Sequence, residues 1–422
     1  MSAERAALQS SDPREHSASK RGEDTGRLIA HREENRPHVC FVSLGIYPIL
    51  IGSTTIESAG GAELQQAVLA KMLTGDGYRV SVLTADHGQP DLVIRDGIEI
   101  HRVPAPGTRG VPGLRFISPH MSDVVKGLDR IDPDIVYFRV AGFRAAAVAW
   151  YARTRGKRFV YSCASDREFE GRQVSMLPRR DELLFRAAVR AADGVLVQNL
   201  RQADSLRTHF SRPAELAPNC YAEAAAPRSR FPGDVLWVGT FKPVKRPELF
   251  IELARRLPAL RFVMVGGPDH PNDPDQIYFE SMREAARGVP NLEFVGFVPV
   301  IRVGAYFDRA SFLVNTSDSE GFPNTFLQAW IRGIPTLSFV RPEVTPGETG
   351  TLPCGDMNDL ANQLAHLACD ATAWQHASDA CYKHFSNVHS VDAALGGYRR
   401  FFGNLMDSPR FRREAARRGA QR

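Results

Sequence analysis

No apolar run in these 422 residues approaches the ~20 needed to cross a bilayer as a helix. The six cysteines lie far apart, at 40, 163, 220, 354, 369 and 381, with no Cys-x-x-Cys pair. Spacing therefore indicates neither a disulfide framework nor a zinc ribbon, and a reducing cytosol is the simplest compartment. Cys381 and His384 have ligand spacing on a predicted helix, but two residues do not make a metal site. The chain lacks Gly-x-Gly-x-x-Gly and lacks Gly-Lys-Ser/Thr, so a dinucleotide fingerprint and a P-loop are both missing. Strong charge of one sign is missing too. A net charge of +5 does not by itself argue for nucleic acid. Two Asp-x-Asp pairs, Asp132-Pro-Asp134 and Asp273-Pro-Asp275, are centred on proline and read as turns. Nothing else gathers enough carboxylates for a divalent ion.

What is present is an ordinary globular composition, 43% hydrophobic and 24% charged, over a length that suggests two or three domains. Residues 1–36 mix acids and bases with almost no large apolar side chains and lack the apolar middle of a signal peptide; they read as disordered. Arg410 to Arg422 holds six arginines against one glutamate. Such a tail could lie on an anionic membrane surface or be a solvated end with no partner.

From residue 37 onward strands alternate with helices. Val39–Leu44, Arg79–Ala85, Ile135–Val140, Arg158–Cys163 and Gly194–Gln198 read as strands. Leu64, Val68 and Met72 recur as on one helix face, and Arg179–Ala192 and Leu200–Phe210 read as helices. Residues 221–232, rich in Ala, Pro and Arg without periodicity, read as a linker. A second series follows, with strands Val235–Gly239, Phe262–Gly266, Leu292–Val298, Phe312–Thr316 and Pro335–Phe339. Helices are expected at Pro247–Leu257, Gln276–Arg287, Pro323–Arg332, Met357–Ala368, Thr372–Phe385 and Val391–Met406. Continuous apolar strands between helices mean parallel sheets covered on both faces. The fold class is α/β: two doubly wound, Rossmann-like domains, 37–220 and 221–389, with a cleft between them as the default site.

The most informative stretch is Asp318-Ser-Glu320-Gly321-Phe322-Pro323-Asn324-Thr325-Phe-Leu-Gln328. It places a carboxylate, Glu320, just before a helix expected to open at Pro323, where a missing N–H costs nothing. The N–H groups of Asn324 and Thr325 are then free for an anion. Gly321 allows close backbone approach, and Gln328 can reach back over the same place. These features suit a nucleotide-sugar; a strand–turn–helix joint with a capping acid suits them as well. A second stretch, Gly239-Thr240-Phe241-Lys242-Pro243-Val244-Lys245-Arg246, crowds cations at a strand's carboxyl end, where they could neutralise a leaving diphosphate. It could equally be a solvated basic loop. Gly60-Gly61-Ala62-Glu63, between the first strand and helix, allows a turn that brings N–H groups to a ligand, or is a plain tight turn. Asp166 could accept an acceptor's proton or cap a helix. Gly266-Gly267-Pro268 and Gly296-Phe297-Val298 are strand-end loops that could hold a flat base, or ordinary turns.

Together these residues resemble glycosyltransferase family 4, the retaining GT-B enzymes, over about residues 38–407. The stretch from Glu320 to Gln328 is similar to the family's Glu-x7-Glu signature. Glu320 stands at the first Glu, which in the family contacts donor-sugar hydroxyls. Gln328 stands at the second, which binds the ribose. Gly239 to Lys245 resembles Gly-Arg-Leu-x-x-x-Lys-Gly: Lys245 matches the diphosphate lysine, and Thr240 replaces the usual arginine, with Lys242 two residues on as a substitute cation. Gly60 and Gly61 match the acceptor-domain glycine loop, and Asp166 falls near the family's His/Asp position.

The resemblance implies a GT-B fold whose last helix, about 390–407, crosses back to the first domain. It implies transfer of a sugar from a nucleoside diphosphate-sugar to an acceptor hydroxyl with retention, in polysaccharide or glycoconjugate biosynthesis. No metal or other cofactor is expected. The partners are the nucleotide-sugar and a saccharide or lipid-linked acceptor, with no nucleic acid, in the cytoplasm or at the inner membrane face. A nucleotide-sugar epimerase, a hydrolase and an inactive nucleotide-sugar-binding protein remain open, the last because of Gln328 and Thr240.

Overall fold

Val39, Cys40, Phe41 and Val42 are buried side by side, so the first strand is covered on both faces. The computed structural model describes residues 36–53, 60–104, 115–170, 177–222, 228–268 and 275–407. Residues 1–35 and the arginine tail lie outside that range. Arg36, expected in the disordered segment, pairs with Asp76 and lies over the Tyr78 ring.

The first domain holds β1 (His38–Val42), β2 (Arg79–Ala85), β3 (Leu92–Arg95), β4 (Ile98–Val103), β5 (Ile135–Arg139), β6 (Arg158–Ser162), β7 (Gly194–Val197) and β8 (Glu215–Leu216). They form one sheet ordered β3-β4-β2-β1-β5-β6-β7-β8, parallel except for the edge pair β3/β4. Helices Ser122–Ile131, Arg144–Arg155, Arg179–Ala191 and Leu200–Phe210 pack on one face over Val136, Phe138, Phe159 and Tyr161. Helix Gly61–Gly75 covers the other face, over Phe41, Ile135 and Tyr137.

The second domain holds β9 (Asp234–Val238), β10 (Phe262–Val265), β11 (Leu292–Gly296), β12 (Ala310–Asn315), β13 (Thr336–Ser338) and β14 (Thr351–Pro353). Its sheet is parallel throughout, ordered β11-β10-β9-β12-β13-β14.

The last helix, Val391–Asp407, returns to the first domain. Tyr398, Phe401 and Phe402 join the cluster containing Tyr78 and Leu196, and Arg399 Nε donates to Asp76 at 2.8 Å. A Cβ at Gly194 would meet the Phe401 ring at 2.6 Å, so glycine there lets the helix lie flat on the sheet. Burying one such aromatic contributes about 1.5–3 kcal/mol.

Several expected elements differ. The β3–β4 hairpin, the Ser122–Ile131 and Arg144–Arg155 helices and β14 were not anticipated. The expected strand to Val298 ends at Gly296, and the helix expected from Pro323 starts at Asn324. Pro323 is its extended N-cap, at φ −63° and ψ 124°. Both Asp132 and Asp134 serve the backbone: Asp132 is the left-handed C-cap of Ser122–Ile131, and Asp134 accepts from the His38 N–H at 3.0 Å. Asp273 lies outside the described residues.

His389, just before the returning helix, is fully buried. Its Nδ1 donates to the Asn219 carbonyl at 2.7 Å, and Nε2 has no partner. Burial drives its pKa down to about 3. The folded value lies below the ordinary one near 6.5, so its stabilisation is complete above that pH and fades as pH falls towards 3. Each pH unit below 6.5 costs about 1.4 kcal/mol in that window. His389→Asn keeps a donor without the titration. Chemical denaturation should show its stability falling less than wild type between pH 6.5 and 5; parallel curves would reject this role.

Candidate active site

Each sheet has one place where strand order reverses, and ligands of doubly wound sheets bind beside it. In the first domain it falls between β1 and β5, and in the second between β9 and β12. The carboxyl ends of these four strands and the loops that follow carry Gly60-Gly61, Arg139, Gly239–Lys245 and Asn315–Asn324. All four line one cavity of about 380 Å³ between the domains.

The second domain supplies the charged wall. Lys245 Nζ donates to both Glu320 oxygens, at 2.5 and 2.6 Å. Glu320 also accepts from Ser317 Oγ at 2.6 Å and from Asn315 Nδ2 at 3.4 Å. Three donor groups, making four hydrogen bonds, thus fix one carboxylate on the wall. Its side chain is 12% exposed and that of Lys245 25%. The strand-end backbones that carry them are packed closely. A Cβ on Gly266, at φ 150°, would sit 1.8 Å from the Gly239 carbonyl oxygen, so only glycine fits.

The turn 320–324 is clasped by first-domain amides. Asn199 Nδ2 donates to the Gly321 carbonyl at 2.9 Å and Asn219 Nδ2 to the Phe322 carbonyl at 3.1 Å. Gln65 Nε2 donates to Asn324 Oδ1 at 2.8 Å, and Asn324 Nδ2 donates to the Gly61 carbonyl at 2.8 Å. The Asn324 side chain is therefore spent on the domain interface. The backbone N–H groups of Asn324 and Thr325 make no hydrogen bond among the described residues and lie at the cavity wall. The buried Gln328 amide likewise faces the cavity without a protein partner.

At the far end Gly266, Gly267, Pro268, Phe297 and Val298 form a largely apolar rim, with Trp237 behind it held by Thr316 at 3.1 Å. Gly296 stands behind the rim, where its carbonyl accepts the Gly266 N–H at 2.9 Å. Thr240, Gly321 and Phe322 line the cavity as well.

Besides Gly296, three further expected site residues are not brought there. Asp166 opens a short turn capped by Ser165 and borders a neighbouring hollow on the other side of Gly321. Its Oδ1 accepts from Asn199 and Gln202, each at 2.9 Å. Burial raises its pKa, opposed by those two bonds. Lys242 does not line the cavity and is engaged elsewhere, so the missing cation at Thr240 is not supplied from there. Glu63 lies in the first turn of Gly61–Gly75, folded back towards Gly60 and outside the cavity. Sequence reasoning missed Arg139, Asn219, Asn199 and Gln65. Only Arg139 left a trace, a charge closing the apolar run of β5. Among the described residues, no three His, Cys, Asp or Glu side chains group as metal ligands. Cys381 is buried, and burial lifts its thiol pKa to about 12.

Comparison with known proteins agrees with this geometry. Residues 60–221 match the family described as Glycosyl transferase 4-like domain, and residues 232–370 match Glycosyl transferases group 1. D-inositol 3-phosphate glycosyltransferase of Mycobacterium avium is 31% identical over 182 residues, 39% of this chain and 41% of that protein. The chain thus matches less than half the length of that relative. Sucrose-phosphate synthase from Thermosynechococcus elongatus superposes with a TM-score of 0.71 over 88% of this chain and 99% of its own, at 19% identity. Anabaena HepE in complex with UDP-glucose superposes at 0.66 over 87% and 100%, at 15% identity. These two likenesses bear on the fold. With both domain families matched in order on two facing parallel-sheet domains, the chain belongs to the group 1, family 4 glycosyltransferases of GT-B fold.

Proposed function

We propose that the protein moves a sugar from a nucleoside diphosphate-sugar to an acceptor hydroxyl in this cleft, with retention at the anomeric carbon. The observation that carries the reading is the Lys245–Glu320 pair, 2.5 Å apart on the cavity wall, beside the unengaged N–H groups of Asn324 and Thr325. Lys245 and those N–H groups stabilise the diphosphate as its charge develops. Glu320, fixed by its donors, reads the sugar hydroxyls, and the Gln328 amide reads the ribose diol. The rim at Gly266–Pro268 and Phe297 takes the base. On this reading the acceptor oxygen attacks the face from which the diphosphate leaves. The sugar–oxygen bond to diphosphate breaks, the new glycosidic bond forms, and the hydroxyl proton passes to the leaving phosphate oxygen. No protein nucleophile enters, and no metal is assigned a step. The amide clasp around 320–324 ties the two walls together, which favours exclusion of water, whose attack is the competing reaction.

The structural neighbour HepE is in complex with UDP-glucose, so UDP-sugars are the first donors to try. A thermal-shift screen of UDP-, GDP- and ADP-sugars should give one donor that raises the melting temperature by mass action. Turnover should then require an acceptor and survive a chelator. Conversion of donor alone would indicate an epimerase or hydrolase, and binding without turnover across an acceptor panel an inactive binder. No helix among the described residues is long and apolar enough to cross a membrane. The arginine tail is read as a peripheral contact with anionic lipid, which requires vesicle binding that a chain ending at residue 407 loses.

A further inference from the structure

Arg139 is the last residue of β5 and reaches the cleft from the first domain. It is 6% exposed and lines the cavity. Its Nη2 donates to Asn219 Oδ1 at 3.2 Å, a neutral partner, while Nε is buried with none. No carboxylate of the described residues pairs with it. Glu168, the buried carboxylate that feels its charge, is held by the Tyr161 hydroxyl at 2.7 Å and the Ala164 N–H at 3.2 Å. Val140, the next residue, sits at φ 87°, a region that β-branched residues rarely adopt. The fold thus holds a strained backbone and an uncompensated guanidinium at the wall of a cavity. A buried charge without a partner is strongly unfavourable, so the site is incomplete without an anion.

The other cation in the lining is Lys245, already committed to Glu320. Position 240 offers only a threonine hydroxyl. The second domain therefore contributes about as much negative as positive charge to the wall, too little for a group as anionic as a diphosphate. Arg139 hangs from Asn219, whose amide also contacts the Phe322 carbonyl and, at 3.4 Å, Asn324 Oδ1 at the helix start. That chain points the guanidinium at the same end of the cavity.

We infer that Arg139 is a phosphate-binding residue of the donor site, supplying from the first domain the cation that the second domain lacks. This rests on the donor reading above. It also makes affinity for the diphosphate depend on the two domains being together.

The test compares wild type, Arg139→Met and Arg139→Lys. Calorimetry measures UDP, GDP and ADP against their nucleosides, and melting is followed without ligand. The expected selectivity for the best diphosphate over its nucleoside falls about tenfold or more in Arg139→Met and less in Arg139→Lys, which keeps charge but not the fork. Ligand-free Arg139→Met should melt no lower than wild type, because an unpaired buried charge is gone. Removing a merely structural arginine would instead lower the melting temperature and leave selectivity alone, and unchanged selectivity overturns the inference. So does unchanged selectivity with lost binding of inorganic phosphate, which would move the anion to the acceptor side. If Lys245→Ala loses selectivity while Arg139→Met keeps it, the donor reading stands and only this inference falls. If wild type binds none of the three diphosphates, both fall.

Discussion

Lys245→Ala is expected to lower turnover by about 10²–10³-fold with the fold intact, the loss typical of removing one preorganised donor to a developing oxyanion. The ammonium has two tasks in the geometry. It neutralises the departing diphosphate, and it fixes Glu320 through bonds of 2.5 and 2.6 Å. Removing it leaves a largely buried carboxylate facing an anionic substrate, so donor affinity should fall together with kcat. Glu320→Gln keeps the shape and the Ser317 contact but not the charge, and should lose turnover with a smaller effect on affinity. Because the two side chains touch, the double variant Lys245→Ala/Glu320→Gln should lose less than the single losses multiplied together. Steady-state rates with the best donor, beside circular dichroism, decide the matter. Wild-type-like rates in both single variants would remove the assignment.

Gly321→Ala should disturb the molecule through a single methyl. A Cβ at 321 would lie 2.4 Å from the Ala164 carbonyl oxygen and 2.8 Å from Gln198 Oε1, both in the first domain. The neighbouring backbone cannot yield, since Asn199 holds the Gly321 carbonyl and Gln198 donates to the Cys163 carbonyl at 2.9 Å. Overpacking of this kind costs about 1–3 kcal/mol. Relief comes from prising the domains apart at the cleft. The Michaelis constant for donor should therefore rise about tenfold or more, since catalytic geometry tolerates little displacement. Small-angle scattering should show a larger radius of gyration. Gly397→Ala is the control: it lies exposed in the returning helix with open space around it, and should leave kinetics alone while stabilising slightly. Equal kinetics and scattering for Gly321→Ala and wild type would show that the interface relaxes without opening.

Much of this was legible in the sequence because the second-domain wall is local. Glu320, Gly321, Asn324, Thr325 and Gln328 fall within nine residues, and strand, turn and helix follow from apolar runs and a proline. The β3–β4 hairpin was legible and overlooked: Asp96-Gly97 is a two-residue turn signal, and both residues adopt positive φ, 51° and 78°. The first-domain side is another matter. Gln65, Arg139, Asn199 and Asn219 come from four separate segments and act only once the domains face each other. Nothing in their own neighbourhoods distinguishes the three amides from surface amides, and Arg139 is marked only as a charge that closes an apolar strand. Asp166 misled for the converse reason: an acid at a strand end reads as cleft-facing, while its actual direction was set by Asn199 and Gln202.

The returning helix has a mechanical meaning. The polypeptide leaves the first domain after Tyr221 and returns to it at Ser390, and these two residues bridge side by side. Two tethers running together define an axle. Relative motion is thereby restricted to a swing about that line, so the lips of the cleft can part and meet again while their alignment along it is conserved. Binding and release can repeat without either half having to search for its register.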